Sequence, residues 1–134
     1  MSRNIRAQIG KETVEIAERG WYESATGERV DIGQAMRSCL QSTTLYRPDD
    51  LDKLLSQTTR TPAERETQFE VVNETTLSAA WRLVEARNLA GTLCLNFASA
   101  KNPGGGFLGG SQAQEESLAR SSGLYLALRS QWPY

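Results

Sequence analysis

Five glycines fall within seven residues, at Gly104, Gly105, Gly106, Gly109 and Gly110, and the segments on either side of them restrict the fold more than any other feature of the chain. Before them, Gly91-Thr-Leu-Cys-Leu-Asn-Phe-Ala98 is a short apolar run that predicts a strand. After them, residues 112–128 predict a helix. A strand, a glycine loop and a helix in this order bring backbone N–H groups and a helix N-terminus to one place, which receives phosphate well. Glu115 and Glu116 stand in the first turn of that helix. The cradle therefore opens onto two carboxyl groups, one of which can serve as a general acid.

Two common phosphate motifs can be tested directly. A P-loop carries a lysine after its second glycine; here Gly109 is followed by Gly110 and Ser111, and Gly110 by Ser111 and Gln112. Nucleoside triphosphate hydrolysis is thereby disfavoured. Gly104-Gly105-Gly106-Phe107-Leu108-Gly109 satisfies G-x-G-x-x-G literally, but a dinucleotide fold needs an acidic strand end about 20 residues later. The chain stops at Tyr134, too soon for one.

Histidine is absent. That removes Ser-His and Cys-His nucleophiles, so Ser111 has no base, and two cysteines alone do not close a zinc site. Chemistry must rest on carboxylates, Lys, Tyr or backbone dipoles, with no metal or organic cofactor. A net charge of −1 argues against a general nucleic-acid binder, so no direct DNA contact is expected. No leader-like segment and no membrane-length apolar run is visible, which suggests a soluble cytoplasmic protein. Cys39 and Cys94 then read as free thiols buried in the core.

At 134 residues there is room for one domain with a real core. Residues 4–19 predict a helix with an imperfect stripe of Ile5, Ile9, Val14, Ile16 and Ala17, ended by Gly20. Trp21-Tyr22 and Arg29–Ile32 predict a hairpin, followed by helices over 34–41 and from Asp49 or Asp50 to Leu55. The polar run Ser56–Arg65 predicts a loop. Residues 68–72 alternate as a strand, and Asn73 or Thr75 caps a helix to about Asn88, whose face of Leu77, Ala80, Trp81 and Val84 should pack on a sheet. The order strand 68–72, helix 75–88, strand 92–98, glycine loop, helix 112–128 implies a parallel pair with ligand at the carboxyl end of its second strand. Residues 92–98 should be buried, Leu93, Leu95 and Phe97 on one side, Cys94 and Asn96 on the other.

Gly104-Gly105-Gly106, seven residues, then Gln114-Glu115-Glu116 resembles the signature of the poly(ADP-ribose) glycohydrolases, and Asn96 to Gly110 resembles their microbial branch. The likeness is strongest over Phe69 to Tyr125. It implies an α/β class, a macrodomain-like three-layer α/β/α fold, with residues 67–134 as the N-terminal part of the catalytic domain and 1–66 as a mostly helical accessory region. The family's macrodomain runs further than this chain, so a truncated fragment, or a sheet completed by an oligomeric partner, is expected.

The resemblance implies cleavage of ribose–ribose bonds in poly(ADP-ribose), with ADP-ribose and ADP-ribosylated proteins as partners, in the DNA damage response. Glu116 is implied as the catalytic acid and base, and Glu115 as a holder of ribose hydroxyls, with Gln114 positioning the pair. The loop Gly104, Gly105 and Gly106 is implied to approach the diphosphate and terminal ribose, with Asn102 as a hydroxyl partner. Phe107 is either a loop anchor or a lid over the terminal sugar. Lys101 and Arg120 read as solvated surface charges. Neighbouring helix positions point about 100° apart, so the two acids should not share one task. A helix N-terminus favours the ionised carboxylate whereas a bound diphosphate favours the acid, so Glu116 should become a competent acid when substrate is bound. Two further readings stay open: a macrodomain that binds ADP-ribose without cleaving it, and an unrelated phosphate-binding regulatory domain. A pure binder has no need of Gln-Glu-Glu at this place.

Overall fold

The computed structural model describes residues 1–58 and 66–132. Helix α1, Arg3–Arg19, starts on Ser2, whose hydroxyl accepts the Ile5 N–H at 3.4 Å. It stops at Gly20, which takes φ +79° and returns its N–H to the Ile16 carbonyl at 2.8 Å. That left-handed cap is open to glycine at little cost. The chain then turns into an antiparallel hairpin of β1, Trp21–Glu23, and β2, Arg29–Asp31, pairing Tyr22 with Val30. The Arg19 and Arg29 guanidinium groups lie 4.4 and 4.5 Å from the Trp21 ring centre, a double cation–π contact.

Helices α2, Gly33–Ser42, and α3, Pro48–Gln57, follow. Pro48 supplies a preset φ at the first turn of α3, and the Asp50 carboxylate accepts the Arg47 N–H at 3.1 Å. Ser56 and Gln57 thus belong to a helix rather than to the expected loop, and residues 59–65 of that loop lie outside the described residues. Helix α4, Thr76–Trp81, is capped by the Thr75 hydroxyl, which accepts the Ser78 N–H at 3.1 Å, and passes into a π turn over Arg82–Ala86. The helix expected over 112–128 is two helices, α5, Gln114–Ala119, and α6, Leu124–Ser130. Ser121, Ser122 and Gly123, poor helix formers, break it.

The parallel pair is the main correction. Among the described residues the one sheet is the β1–β2 hairpin; residues 68–72 and 92–98 carry no ladder. Leu93 is 95% exposed, and Leu95, Phe97, Phe69, Val71 and Cys94 are exposed as well. The expected burial of 92–98 is overturned, as is the packing of Leu77, Trp81 and Val84 on a sheet, since all three are exposed. The physical reason is that a ladder needs a second extended backbone about 4.8 Å away along its length. Residues 70–74 are instead drawn to the end of α4 by ion pairs, Glu70 with Arg87 at 2.9 Å and Arg82 at 3.6 Å, and Glu74 with Arg82. The Arg87 guanidinium, helped by Arg82, holds the Glu70 carboxyl below its usual range. A cleft of about 400 Å³ lies between residues 70–76, α4 and residues 92–95.

The buried apolar core is small and sits elsewhere: Ala17, Phe107, Leu118, Ala119, Leu126 and Ala127. It joins α1, α5, α6 and the 3₁₀ turn Phe107–Gly109 of the glycine loop. Cys39 is exposed, so neither cysteine is a core residue. Among the described residues no helix is long and apolar enough to cross a membrane.

Candidate active site

The glycine loop is a closed curl. The Asn102 carbonyl accepts the Gly105 N–H at 2.9 Å, and the Gly106 carbonyl accepts from both Gly109 and Ser111, at 3.0 and 3.1 Å. The curl comes down on the start of α5, where the Gly106 N–H donates to Glu116 Oε1 at 3.1 Å. Gly105 has φ +59°, and a Cβ built there would lie 2.5 Å from Glu116 Oε1 and 3.3 Å from Glu115 Oε2. Both the backbone angle and the space restrict this position to glycine. Both carboxylates therefore converge on one glycine, although their helix positions differ by about 100°. The loop wraps over the helix start and meets each from a different side.

Their environments separate them. Glu115 is 3% exposed, and its oxygens accept from the Ser99 N–H at 2.7 Å and Asn96 Nδ2 at 3.3 Å. Its carboxylate ties residues 96–99 to α5, so the ribose contact implied for it is replaced here by an anchoring role. Glu116 is half-buried, beside the exposed Gly106. A carboxyl held by one backbone N–H at the edge of an accessible loop is placed to exchange a proton with a ligand seated on that loop.

Gln114 works on the other side of α5. Its Oε1 accepts the Phe97 N–H at 2.8 Å and its Nε2 donates to the Leu95 carbonyl at 2.7 Å. Its amide meets the 95–97 backbone as a neighbouring strand would, which makes it a positioning rather than a substrate-binding residue. Phe107 is 1% exposed and stacks on Tyr125 with ring centres 4.9 Å apart, so it anchors the loop and is no lid. Asn102 is exposed at the loop entrance, and so is Lys101.

Arg120 is 7% exposed, not a solvated surface charge. It donates to the Ser111 carbonyl at 2.9 Å and to Gln112 Oε1 at 2.6 Å, closing the C-terminal end of the loop. Burial, then the nearby Arg6 charge, lowers its pKa, and Glu116 opposes them.

Helix α1 meets the loop along a line that the apolar stripe did not reveal. Arg6 Nε donates to the Gly110 carbonyl at 2.8 Å, Gly10 lies against Phe107, and Thr13 Oγ1 donates to the Arg120 carbonyl at 2.7 Å. Ala17 continues the same face and is buried. Positions 6, 10, 13 and 17 follow the spacing of one helix face, and that spacing was the available signal. It was missed because Gly, Thr and Arg are not apolar. Asn96 and Ser99, which hold Glu115, were missed as site residues because their role depends on a contact 16 or 19 residues away.

Residues 10–134 match the family described as microbial-type PARG, catalytic domain. The chain is similar to the crystal structure of poly(ADP-ribose) glycohydrolase (PARG) from Thermomonospora curvata, with 50% identity and a TM-score of 0.84, over 95% of this chain and 46% of that one. It is likewise similar to the Thermomonospora curvata enzyme bound to the inhibitor ADP-HPD, at 50% identity and a TM-score of 0.80, over 95% of this chain and 44% of that one. The chain thus spans about half the length of these solved structures. Their likeness carries the α/β fold class that the missing ladder alone would not. Among curated proteins none matches.

Proposed function

This chain belongs to the microbial-type poly(ADP-ribose) glycohydrolase catalytic-domain family, and on that footing we propose that its glycine loop and Glu116 cleave the ribose–ribose O-glycosidic bond of poly(ADP-ribose), releasing ADP-ribose. The observation that carries the reading is the hydrogen bond from Gly106 to Glu116, which puts a half-buried carboxyl on the rim of the loop. In this reading the loop receives the diphosphate and the terminal ribose, with Asn102 at its entrance. Glu116 protonates the leaving ribose oxygen as the bond breaks through an oxocarbenium-like state, and the carboxylate then takes a proton from the attacking water. Glu115 and Gln114 keep residues 95–99 in place beside it.

Both glutamates approach Gly105, so the pair does not flank a bond from opposite faces as two glycosidase carboxylates commonly do. The reading therefore asks one residue to act as acid and then as base. ADP-ribosylated proteins are the natural carriers of the polymer. A cytoplasmic setting and a place in the DNA damage response complete the reading; the first rests on the unpaired thiols of Cys39 and Cys94, the second on family resemblance.

Glu116→Gln tests it. The amide keeps the size of the side chain but neither donates nor recovers the proton. Acid–base catalysis is commonly worth about 10²–10⁴-fold, so polymer cleavage should fall by at least about 100-fold while ADP-ribose binding, measured by calorimetry, stays within about twofold. Unchanged cleavage by a folded Glu116→Gln chain overturns the mechanism. An unsubstituted folded chain that binds ADP-ribose but never cleaves polymer is a binding module instead.

A further inference from the structure

Arg6 stands ahead of residue 10, where the family match begins, and the reaction proposed above makes no use of it. Its side chain nevertheless reaches the catalytic loop. Arg6 Nε donates to the Gly110 carbonyl at 2.8 Å. The peptide unit that carries this carbonyl also carries the Ser111 N–H, which donates to the Gly106 carbonyl at 3.1 Å. Gly106 in turn presents its own N–H to Glu116 Oε1 at 3.1 Å. Guanidinium, peptide, glycine and carboxylate form one line.

Hydrogen bonds in series polarise one another, and a charged donor at the head strengthens the first of them. Arg3 runs a parallel line: its Nε donates to the Gly109 carbonyl at 2.8 Å, and the N–H of that peptide, on Gly110, donates to the Phe107 carbonyl at 3.0 Å. Arg6 has one other bond of its own, from Nη1 to the Met1 carbonyl at 2.7 Å. Among the described residues no carboxylate pairs with it. Its hydrogen bonds all go to backbone carbonyls, which makes it a residue that sets the shape of the loop.

We propose that Arg6 is a positioning residue for Glu116, holding Gly106 through the Gly110–Ser111 peptide so that the Gly106 N–H fixes the carboxylate. The assignment rests on the glycohydrolase reading, and in it Arg6 touches no substrate. Displacing a catalytic group by about 1 Å costs on the order of 100-fold, so the loss belongs in kcat rather than in KM.

The experiment compares the unsubstituted full chain with Arg6→Met, which keeps the aliphatic stem without a donor, and with Arg6→Lys, which restores a charged donor. Amide exchange is followed at Gly106 and Ser111, with Leu126 and Ala127 reporting the core. In Arg6→Met, Gly106 exchange should rise about tenfold with Leu126 and Ala127 unchanged, and kcat on polymer should fall about tenfold with KM within about twofold. Arg6→Lys should recover part of both. A purely structural role would raise exchange at Leu126 and Ala127 equally and leave the folded fraction's kcat intact, and that result overturns the proposal. So does unchanged Gly106 exchange in folded Arg6→Met. If Arg6→Met does not fold, the unsubstituted chain decides: unprotected Gly106 and Ser111 amides mean that the relay does not exist. A chain that never cleaves polymer sinks the hydrolase reading, while the exchange results still decide whether Arg6 holds Glu116's hydrogen-bond donor in place.

Discussion

At Gly105 the loop, the helix start and both acids meet. Replacing it with alanine combines two penalties: a non-glycine residue at φ +59°, and a Cβ 2.5 Å from Glu116 Oε1. The left-handed backbone alone costs about 1–2 kcal/mol, and the steric conflict is relieved only by moving the glutamate away. Gly105→Ala should therefore lower the melting temperature by several degrees and also remove most polymer cleavage. Calorimetry and a turnover assay on the same sample check this; a variant with normal melting and normal turnover would show that the approach of Glu116 to Gly105 does not matter. Gln114, one residue before the acids, illustrates a different lesson of this scale. An amide side chain can take the place of a strand when it offers its donor and acceptor to one stretch of backbone.

Among the elements, α1 has the largest influence on the loop, through small residues rather than large ones. Gly10 is buried, and a Cβ there would stand 3.1 Å from both the Phe107 ring and its carbonyl. Leucine is the better helix former by about 1 kcal/mol, so Gly10→Leu should stabilise α1 if the helix were isolated. In the folded chain it must displace Phe107, and overpacking a core of this kind costs about 1–3 kcal/mol. Net destabilisation in urea, with the Phe107–Tyr125 stacking lost from the aromatic signals, is the expected outcome. A more stable Gly10→Leu chain would mean that α1 does not lie against the loop as described. The helices and the hairpin were legible in the chain because their signals are local: Ser2 and Gly20 bound α1, Thr75 caps α4, and Pro48 opens α3. The break at residues 120–123 escaped because the apolar pattern runs through it on both sides.

Taken whole, the molecule is uneven. Its buried residues surround Phe107, whereas Phe69, Val71, Leu93, Leu95 and Phe97 face solvent on extended backbone without a ladder. Exposed alternating apolar residues beside unpaired N–H and C=O groups invite association. The chain should bind a hydrophobic dye while folded and self-associate as concentration rises. Replacing Leu93, Leu95 and Phe97 together by threonine should lower both effects without changing the exchange of Leu126 and Ala127. Sedimentation velocity and dye fluorescence measure this, and equal signals from the two chains would show that these side chains are covered.

The chain by itself determined the loop, the acids and the local elements, because each depends on residues close in sequence: glycines in a row, Gln-Glu-Glu at a helix start, caps at their neighbours. It also carried enough of the family signature for the fold class and the candidate chemistry. Tertiary structure alone decided which residues serve the site from a distance. Arg6, Gly10 and Thr13 meet the loop and Arg120 across about a hundred positions of sequence, and Asn96 and Ser99 hold Glu115 through bonds that no periodicity announces. It also decided that an apolar run at 92–98 stays out of a ladder. Alternation prepares a strand, but hydrogen bonding to a second backbone makes one.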